Sequence, residues 1–322
     1  MSIVRRLLRT LKTNRKIRTA IKEQSAYPVQ FYNCWEQSND QMYWNQFITS
    51  RKLLPEGKTA AIFSVFGDKK IIDKIGTDIK VFYSAENLKR NCFAQYADHC
   101  LGNRSIDLAM GFEVFEHPRY LRFPLWMDYM FPAESSEDDI RKLCEQLRFP
   151  YTDGKDRFCC MIASNCGDGL RKEMFDQVSS IARVDSAGRY LHNDDSLIKD
   201  FGDNKLEYLK KYAFNICPEN TSAYGYTTEK LFEAIAMGCI PIYWGADFAD
   251  YPVINENAIV RWDRKDNGQR ALGTIKDLYS NPRLLKEFLA QPRLLSTAEE
   301  CILDTFSTIE RKLKEIINSK DS

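Results

Sequence analysis

Apolar and polar positions change rhythm most clearly between Lys211 and Gly245. Tyr212–Ile216 is a short apolar run that reads as a buried strand, and a polar loop containing Gly and Tyr follows over residues 219–226. Past Thr227 and Thr228, Leu231, Ile235 and Gly238 fall at i, i+4 and i+7, with Phe232 and Ala236 widening that face. This spacing predicts a helix that stops at Gly238. Thr227 or Thr228 suits the N-cap, and Glu229 suits a first turn whose dipole favours carboxylates. Residues 239–244 continue as an unbroken apolar run closed by Gly245. Strand, loop, helix and strand form a βαβ unit, which implies a parallel sheet with helices on its faces.

The same rhythm recurs. Residues 59–65 (TAAIFSV) and Ile79–Tyr83 (IKVFY) read as buried strands around a helix candidate at 69–75. Residues 158–163 predict a strand, followed by a Gly-containing loop at 164–169 and a helix from Leu170. A last small strand is expected at 259–262, and helices broken by Pro282 and Pro292 over 273–319. Helical character after Asp138 gives way to the turn-rich segment at 149–154, where Pro150 and Gly154 mark a connection. These signals divide the chain into a first α/β domain at 26–152, a second at 153–285 and C-terminal helices at 286–322.

Residues 1–25 stand apart. Arg5, Arg6, Arg9, Lys12, Arg15, Lys16, Arg18 and Lys22 precede the first acid, Glu23, while Ile3, Val4, Leu7, Leu8, Leu11, Ile17 and Ile21 gather on one face of a helix. A basic amphipathic helix of this kind suits the surface of an anionic membrane, or packing on the protein itself. No apolar run approaches the roughly 20 residues needed to cross a bilayer, and charges interrupt the apolar residues too often for a signal peptide.

Composition narrows the picture. A chain of 322 residues can bury a large core, and 46 basic against 45 acidic residues argue against a general affinity for polyanions, nucleic acid included. The ten cysteines show no paired CxxC spacing and the three histidines no zinc spacing, so a reducing compartment and no structural metal are expected. Cys159 and Cys160, inside FCCMIA, read as buried small hydrophobes.

The candidate chemistry sits at the βα junctions, where free backbone N–H groups and the helix dipole attract anions. Lys230 adds a charge in the first turn after the 219–226 loop, and Arg171 does so after the 164–169 loop. Glu86 follows strand Ile79–Tyr83, at the carboxyl edge where open α/β sheets carry their functional crevice.

These residues also carry a resemblance. Glu219-Asn220, Tyr224-Gly225-Tyr226-x-Thr228-Glu229-Lys230 and Ile240-Pro241-Ile242-Tyr243-Trp244-Gly245 keep a fixed spacing over some 27 positions. This string resembles the signature of the α1,3-fucosyltransferases of glycosyltransferase family 10, bacterial members in particular. V-F-Y-x-x-E-N around Glu86, the Ala-Ser-Asn segment leading to Arg171, and the stretches 107–112 and 119–125 match in shorter blocks. The resemblance implies the GT-B architecture, two Rossmann-like α/β domains facing a cleft, with terminal helices that cross back to the first domain.

It also implies roles. Glu86 would be the general base. Arg171 and Lys230 would hold the diphosphate of GDP-β-L-fucose, Glu229 its ribose, and Asn220 and Tyr226 would shape the fucose and phosphate pocket. The implied acceptor is an N-acetyllactosamine-type glycan, fucosylated at O3 of GlcNAc, with other nucleotide-sugar donors, 4-linkage and a non-catalytic binding protein left open. No Asp-x-Asp sequence occurs, so two aimed cations are expected to stand in for a metal, and no cofactor is expected. The implied setting is the bacterial cytoplasm, with the basic helix offered to the inner face of the membrane. Two departures stand out: Cys217-Pro218 replaces the usual Cys-Phe, and the C-terminal heptad repeats of some bacterial members are missing. Arg119 and Arg122 are open between substrate and acids such as Glu116.

Overall fold

The computed structural model describes residues 3–320 apart from Glu36, Ala246, Phe248 and Tyr251, with side chains from residue 13 onward. Met1, Ser2 and the side chains of Arg5, Arg6, Arg9 and Lys12 in the basic segment lie outside it. The chain divides into two compact units, one of residues 1–124, 132–134 and 304–322, the other of residues 125–131 and 135–303.

The first unit opens with helix α1 (Ile3–Gln24), followed by strand β1 (Val29–Tyr32), helix α2 (Tyr43–Ser50), β2 (Ala60–Phe63), β3 (Ile79–Tyr83), β4 (Leu108–Gly111) and β5 (Tyr120–Arg122). The five strands pair in sequence order and all in parallel. Every residue of β1, β2 and β4 is buried, as a parallel sheet covered on both faces requires. Helix α1 lies partly on this core: Ile17 is buried, Ala20 and Ile21 pack against it, and Arg15, Lys16, Arg18 and Lys22 face solvent. Gln24 covers the sheet edge by accepting a hydrogen bond from the Phe31 amide at 2.8 Å.

The helix expected at 69–75 is instead a 3₁₀ segment, Lys69–Lys74, with Ile71 and Ile72 buried and its start capped by the Asp68 carboxylate. Ile71, Ile72 and Ile75 all bury in the first core, but Ile75 already has extended backbone, so the segment closes after a short 3₁₀ run. Arg119 does not pair with Glu116. Its guanidinium donates to the carbonyls of Leu101, Asn103 and Ile106, fastening the segment that leads into β4.

The second unit begins with α3 (Leu125–Met130) and α4 (Glu137–Arg148), the latter started by a capping box between Ser136 and Asp139. It continues through β6 (Arg157–Met161), α5 (Leu170–Ser179), β7 (Val184–Ser186), the short α6 (Ser196–Lys199) and α7 (Lys205–Leu209), β8 (Tyr212–Ile216), α8 (Glu229–Ala236), β9 (Ile240–Tyr243) and β10 (Val260–Arg261). Helices α9 (Gln269–Ser280), α10 (Pro282–Leu289) and α11 (Ala298–Lys320) follow, the last counting with the first unit from residue 304. The sheet is again wholly parallel, in the order β10-β9-β8-β6-β7.

Two expected boundaries shift. The turn residues at 149–154 suggest a division at 152/153, but α4 packs with the second unit: Arg141 pairs with Glu299, and the Arg148 carbonyl accepts from the Arg293 amide at 2.8 Å. The limit at 285 falls inside α10, because Pro282 starts that helix at a position where its missing N–H costs nothing. Cys159 and Cys160 are fully buried in β6, as expected of small hydrophobes.

Candidate functional site

The second sheet has one topological switch. From β6 the chain moves to β7 on one side, returns to β8 on the other side of β6, and from there moves outward to β9 and β10. Loops leaving the carboxyl ends of β6 and β8 therefore diverge and open a crevice, the place where doubly wound sheets bind ligands. Met161 and Ile216, the last residues of these strands, are register partners. Above them lies a cleft of about 380 Å³, open solvent included, whose walls include Ala163, Arg171, Lys205, Cys217, Lys230 and Glu233.

Arg171 enters from the start of α5, after Gly169, whose φ of +95° lets the loop turn into the helix without strain. The residue is only 7% exposed. Its guanidinium donates to the carbonyl of Asn165 at 2.9 Å, to the side-chain oxygen of the same residue, and to Asn220 Oδ1 at 2.7 Å. The loop after β6 and the loop after β8 are thus tied together by two predicted site residues. All these acceptors are neutral, and among the described residues no carboxylate lies within ion-pair distance of Arg171. A nearly buried guanidinium without a counter-charge can receive an anion.

Lys230 reaches the cleft from the first turn of α8, with its side chain 24% exposed. Its ammonium donates to Thr228 Oγ1 at 3.0 Å and Glu229 Oε1 at 3.2 Å and stands 3.7 Å from Glu219 Oε2. Burial pulls its pKa down, but Glu219 and Glu229 outweigh that and the net shift is upward, so the side chain is a cation through the neutral range. Glu229 leaves its second oxygen, Oε2, buried without a hydrogen-bond partner among the described residues. An acceptor of that kind fits a ligand hydroxyl. Tyr226 is buried beneath the loop, its amide donating to the Ala223 carbonyl at 2.9 Å, next to Gly225 with φ +75°.

Glu219 is the residue that sequence reasoning passed over. It is 3% exposed and accepts hydrogen bonds from the Thr228 amide at 2.8 Å, the Thr228 hydroxyl at 2.7 Å and the Tyr243 hydroxyl at 3.1 Å. Burial drives its carboxyl pKa upward against the pull of Lys230 and Thr228. Thr228 does occupy the N-cap of α8, but its side chain makes no capping bond: the hydroxyl donates to Glu219 and accepts from Lys230 instead. The carboxylate joins both ends of the 219–228 loop. Its place inside the motif was visible, whereas the distance from Glu219 to Thr228 was not. Lys205, at the start of α7, and its partner Glu233 also line the cleft, and no motif marks Lys205.

Glu86 belongs to the first unit. It follows β3, is 24% exposed at its side chain, and accepts a hydrogen bond from Arg90 at 3.2 Å. Its amide donates to Ser84 Oγ at 3.2 Å, in the turn that ends the strand.

Residues 152–298 match the description "Glycosyltransferase family 10 (fucosyltransferase) C-term", and residues 29–129 match "Alpha-(1,3)-fucosyltransferase FucT N-terminal domain". The chain belongs to glycosyltransferase family 10. Within the family, it is 29% identical over 239 residues to the α-(1,3)-fucosyltransferase FucT of Helicobacter pylori, an alignment that takes in 63% of this chain and 47% of that protein. It is likewise 29% identical over 189 residues to α-(1,3)-fucosyltransferase B of Drosophila melanogaster, covering 53% of this chain and 40% of that one. The chain thus spans about half or less of the length of the curated relatives it matches. A crystal structure of an α1,3-fucosyltransferase superimposes with a TM-score of 0.58 at 23% identity, over 88% of this chain and 89% of the other. The same enzyme type solved with GDP-fucose gives 0.56 at 22% identity over the same shares. The fold is accordingly the GT-B type, built from two Rossmann-like parallel α/β units. The family boundary at 152 falls after α4, which packing assigns to the second unit. Among the described residues no group of His, Cys, Asp and Glu is arranged to hold a metal ion, and no helix is long and apolar enough to cross a membrane.

Proposed function

We propose that this chain transfers L-fucose from GDP-β-L-fucose to a hydroxyl of an oligosaccharide, with inversion, at O3 of GlcNAc in N-acetyllactosamine-type acceptors, giving a Lewis X type α1,3-fucoside. The observation that carries this reading is Arg171, a buried guanidinium with only neutral partners, facing the same cleft as Lys230 at the switch point of the second sheet. The donor is supported by the α1,3-fucosyltransferase solved with GDP-fucose, and the linkage by the names of the relatives.

In this reading Arg171 and Lys230 hold the diphosphate, Glu229 Oε2 accepts from a ribose hydroxyl, and Asn220 and Tyr226 shape the fucose and phosphate pocket. Glu86 takes the proton of the acceptor hydroxyl as that oxygen attacks the anomeric carbon, and the bond to GDP breaks on the opposite face. The leaving GDP gains the electron pair, and the two cations meet the new charge without reorganisation. Neither a metal nor a cofactor is needed. We place the reaction in the bacterial cytoplasm. Exposed Arg15, Lys16, Arg18 and Lys22 support contact of α1 with anionic lipid, while Ile17 and Ile21 serve the core.

The test is transfer of labelled fucose from GDP-fucose to N-acetyllactosamine in EDTA, with Glu86→Gln alongside. A general base contributes about 10²- to 10⁴-fold, so Glu86→Gln should lower turnover by at least about 10²-fold and spare GDP binding. Loss of wild-type transfer in EDTA removes the metal-free mechanism, and undiminished turnover by Glu86→Gln removes the base.

A further inference from the structure

Two large aromatic side chains stand in solvent at the carboxyl edge of the first sheet, on the loops that follow β1 and β2. Trp35 is 69% exposed and Phe66 40%, and their ring centroids lie 4.3 Å apart. Solvated apolar rings on a loop ordinarily turn inward or vary in position, yet here the backbone beneath them is fastened. The Phe66 amide donates to the Asn33 carbonyl at 2.9 Å, and the Asn33 side chain donates to the Asp68 carbonyl at 3.2 Å and the Tyr96 hydroxyl at 3.0 Å. Gly67 packs so closely on Asn33 that a Cβ there would meet Asn33 Oδ1 at 1.8 Å. Paired exposed rings beside a fastened turn offer a recognition surface.

The patch continues toward the predicted base. Phe66 meets Phe93 edge to face at 6.1 Å, the Arg90 guanidinium lies over the Phe93 ring at 5.5 Å, and Arg90 bonds Glu86 at 3.2 Å. Trp35, Phe66, Phe93, Arg90 and Glu86 thus form one contiguous path within a single unit. A pyranose ring has an apolar face of C–H groups and a rim of hydroxyls. Such a ring stacks on an aromatic face while keeping its hydroxyls wet, which suits an open platform better than a closed apolar pocket.

Resting on the function proposed above, we infer that Trp35 and Phe66 form an acceptor subsite that stacks the sugar ring next to the one fucosylated at Glu86. The platform makes a disaccharide a better acceptor than a monosaccharide, because the second ring supplies binding remote from the reacting hydroxyl. It is a binding element of the first unit.

The test uses the full chain with Trp35→Ala and Trp35→Phe, measuring KM and kcat for N-acetyllactosamine and for free GlcNAc, and the KM for GDP-fucose. Saturation-transfer NMR reads binding of the disaccharide directly. One lost stacking contact corresponds to about a three- to tenfold rise in KM. The expected result is that rise for the disaccharide with Trp35→Ala, a much smaller one for GlcNAc, no change for the donor, and recovery in Trp35→Phe. An unchanged disaccharide KM in Trp35→Ala with an active wild type overturns the subsite and leaves the function standing. A wild type that neither transfers fucose nor binds the disaccharide overturns both.

Discussion

At the scale of single residues, the cleft of the second sheet depends on the carboxylate of Glu219. Glu219 gathers the Thr228 amide, the Thr228 hydroxyl and the Tyr243 hydroxyl, and lies within reach of Lys230. Its pKa is raised by burial, so folding favours its protonated form. The contribution of this group to stability is therefore full below the ordinary carboxyl pKa and is lost as pH rises through the raised value. Lys230 is also raised, and its contribution persists through neutral pH and is lost only above the ordinary lysine range. Removing Glu219 leaves the buried Thr228 and Tyr243 donors without their acceptor and takes one of two carboxylates from Lys230. Glu219→Ala should cost about 3–5 kcal/mol in urea unfolding at pH 7, and Glu219→Gln, which retains an acceptor, about 1–3 kcal/mol. Equal, negligible losses would mean that the loop holds without the carboxylate. The βα junctions marked Arg171 and Lys230 in the sequence as first-turn cations, and the family resemblance marked Asn220 and Glu229. Glu219 looked like one more polar loop residue, since nine positions separate it from the Thr228 groups that bury it.

At the scale of elements, periodicity revealed most of the second unit. Tyr212–Ile216 is β8 as expected, α8 ends before Gly238, and β9 is the apolar run after it. Apolar runs of this kind are legible because both faces of a parallel strand are buried. The 3₁₀ segment at Lys69–Lys74 was less so, because a single apolar turn has no second period to confirm it. Strand β5, of three residues, carries too little pattern to declare itself. Gly238 shows a different kind of signal. It has φ +69°, and a Cβ there would come within 2.3 Å of the Tyr151 carbonyl oxygen. The glycine is thus required both to leave α8 and to let the chain before β6 approach. Gly238→Ala combines backbone strain with a clash against main chain and should cost about 2–4 kcal/mol in denaturant unfolding. No loss, or the gain of about 0.4–1 kcal/mol that Gly to Ala gives at a tolerant site, would show that this crossing relaxes.

At the scale of the whole molecule, the first unit is discontinuous in sequence, since it needs residues from 304 onward. Four side chains of α11 in that stretch, Phe306, Ile309, Leu313 and Ile317, are buried, and Phe306 stacks near Phe47 and Phe123 at 6.3 and 5.9 Å. Glu310 pairs with Arg51 at 3.4 Å and Lys320 with Asp107 at 2.8 Å, half-buried ion pairs whose attraction is largely offset by desolvation. The apolar side chains decide the matter. Burying each stabilises by about 1.5–3 kcal/mol, so the four together contribute about 6–12 kcal/mol. That is as large as the net stability of a typical domain, about 5–15 kcal/mol. A fragment of residues 1–152, which contains every strand of the first sheet, should therefore fail to reach a fixed fold on its own, with poorly dispersed amide resonances and an uncovered surface at Phe47 and Phe123. Adding a peptide of residues 298–320 should restore dispersion at concentrations above its Kd. A fragment that gives a dispersed spectrum and a cooperative unfolding transition without the peptide would mean that the sheet and α1 suffice, and that α11 only covers a unit already stable.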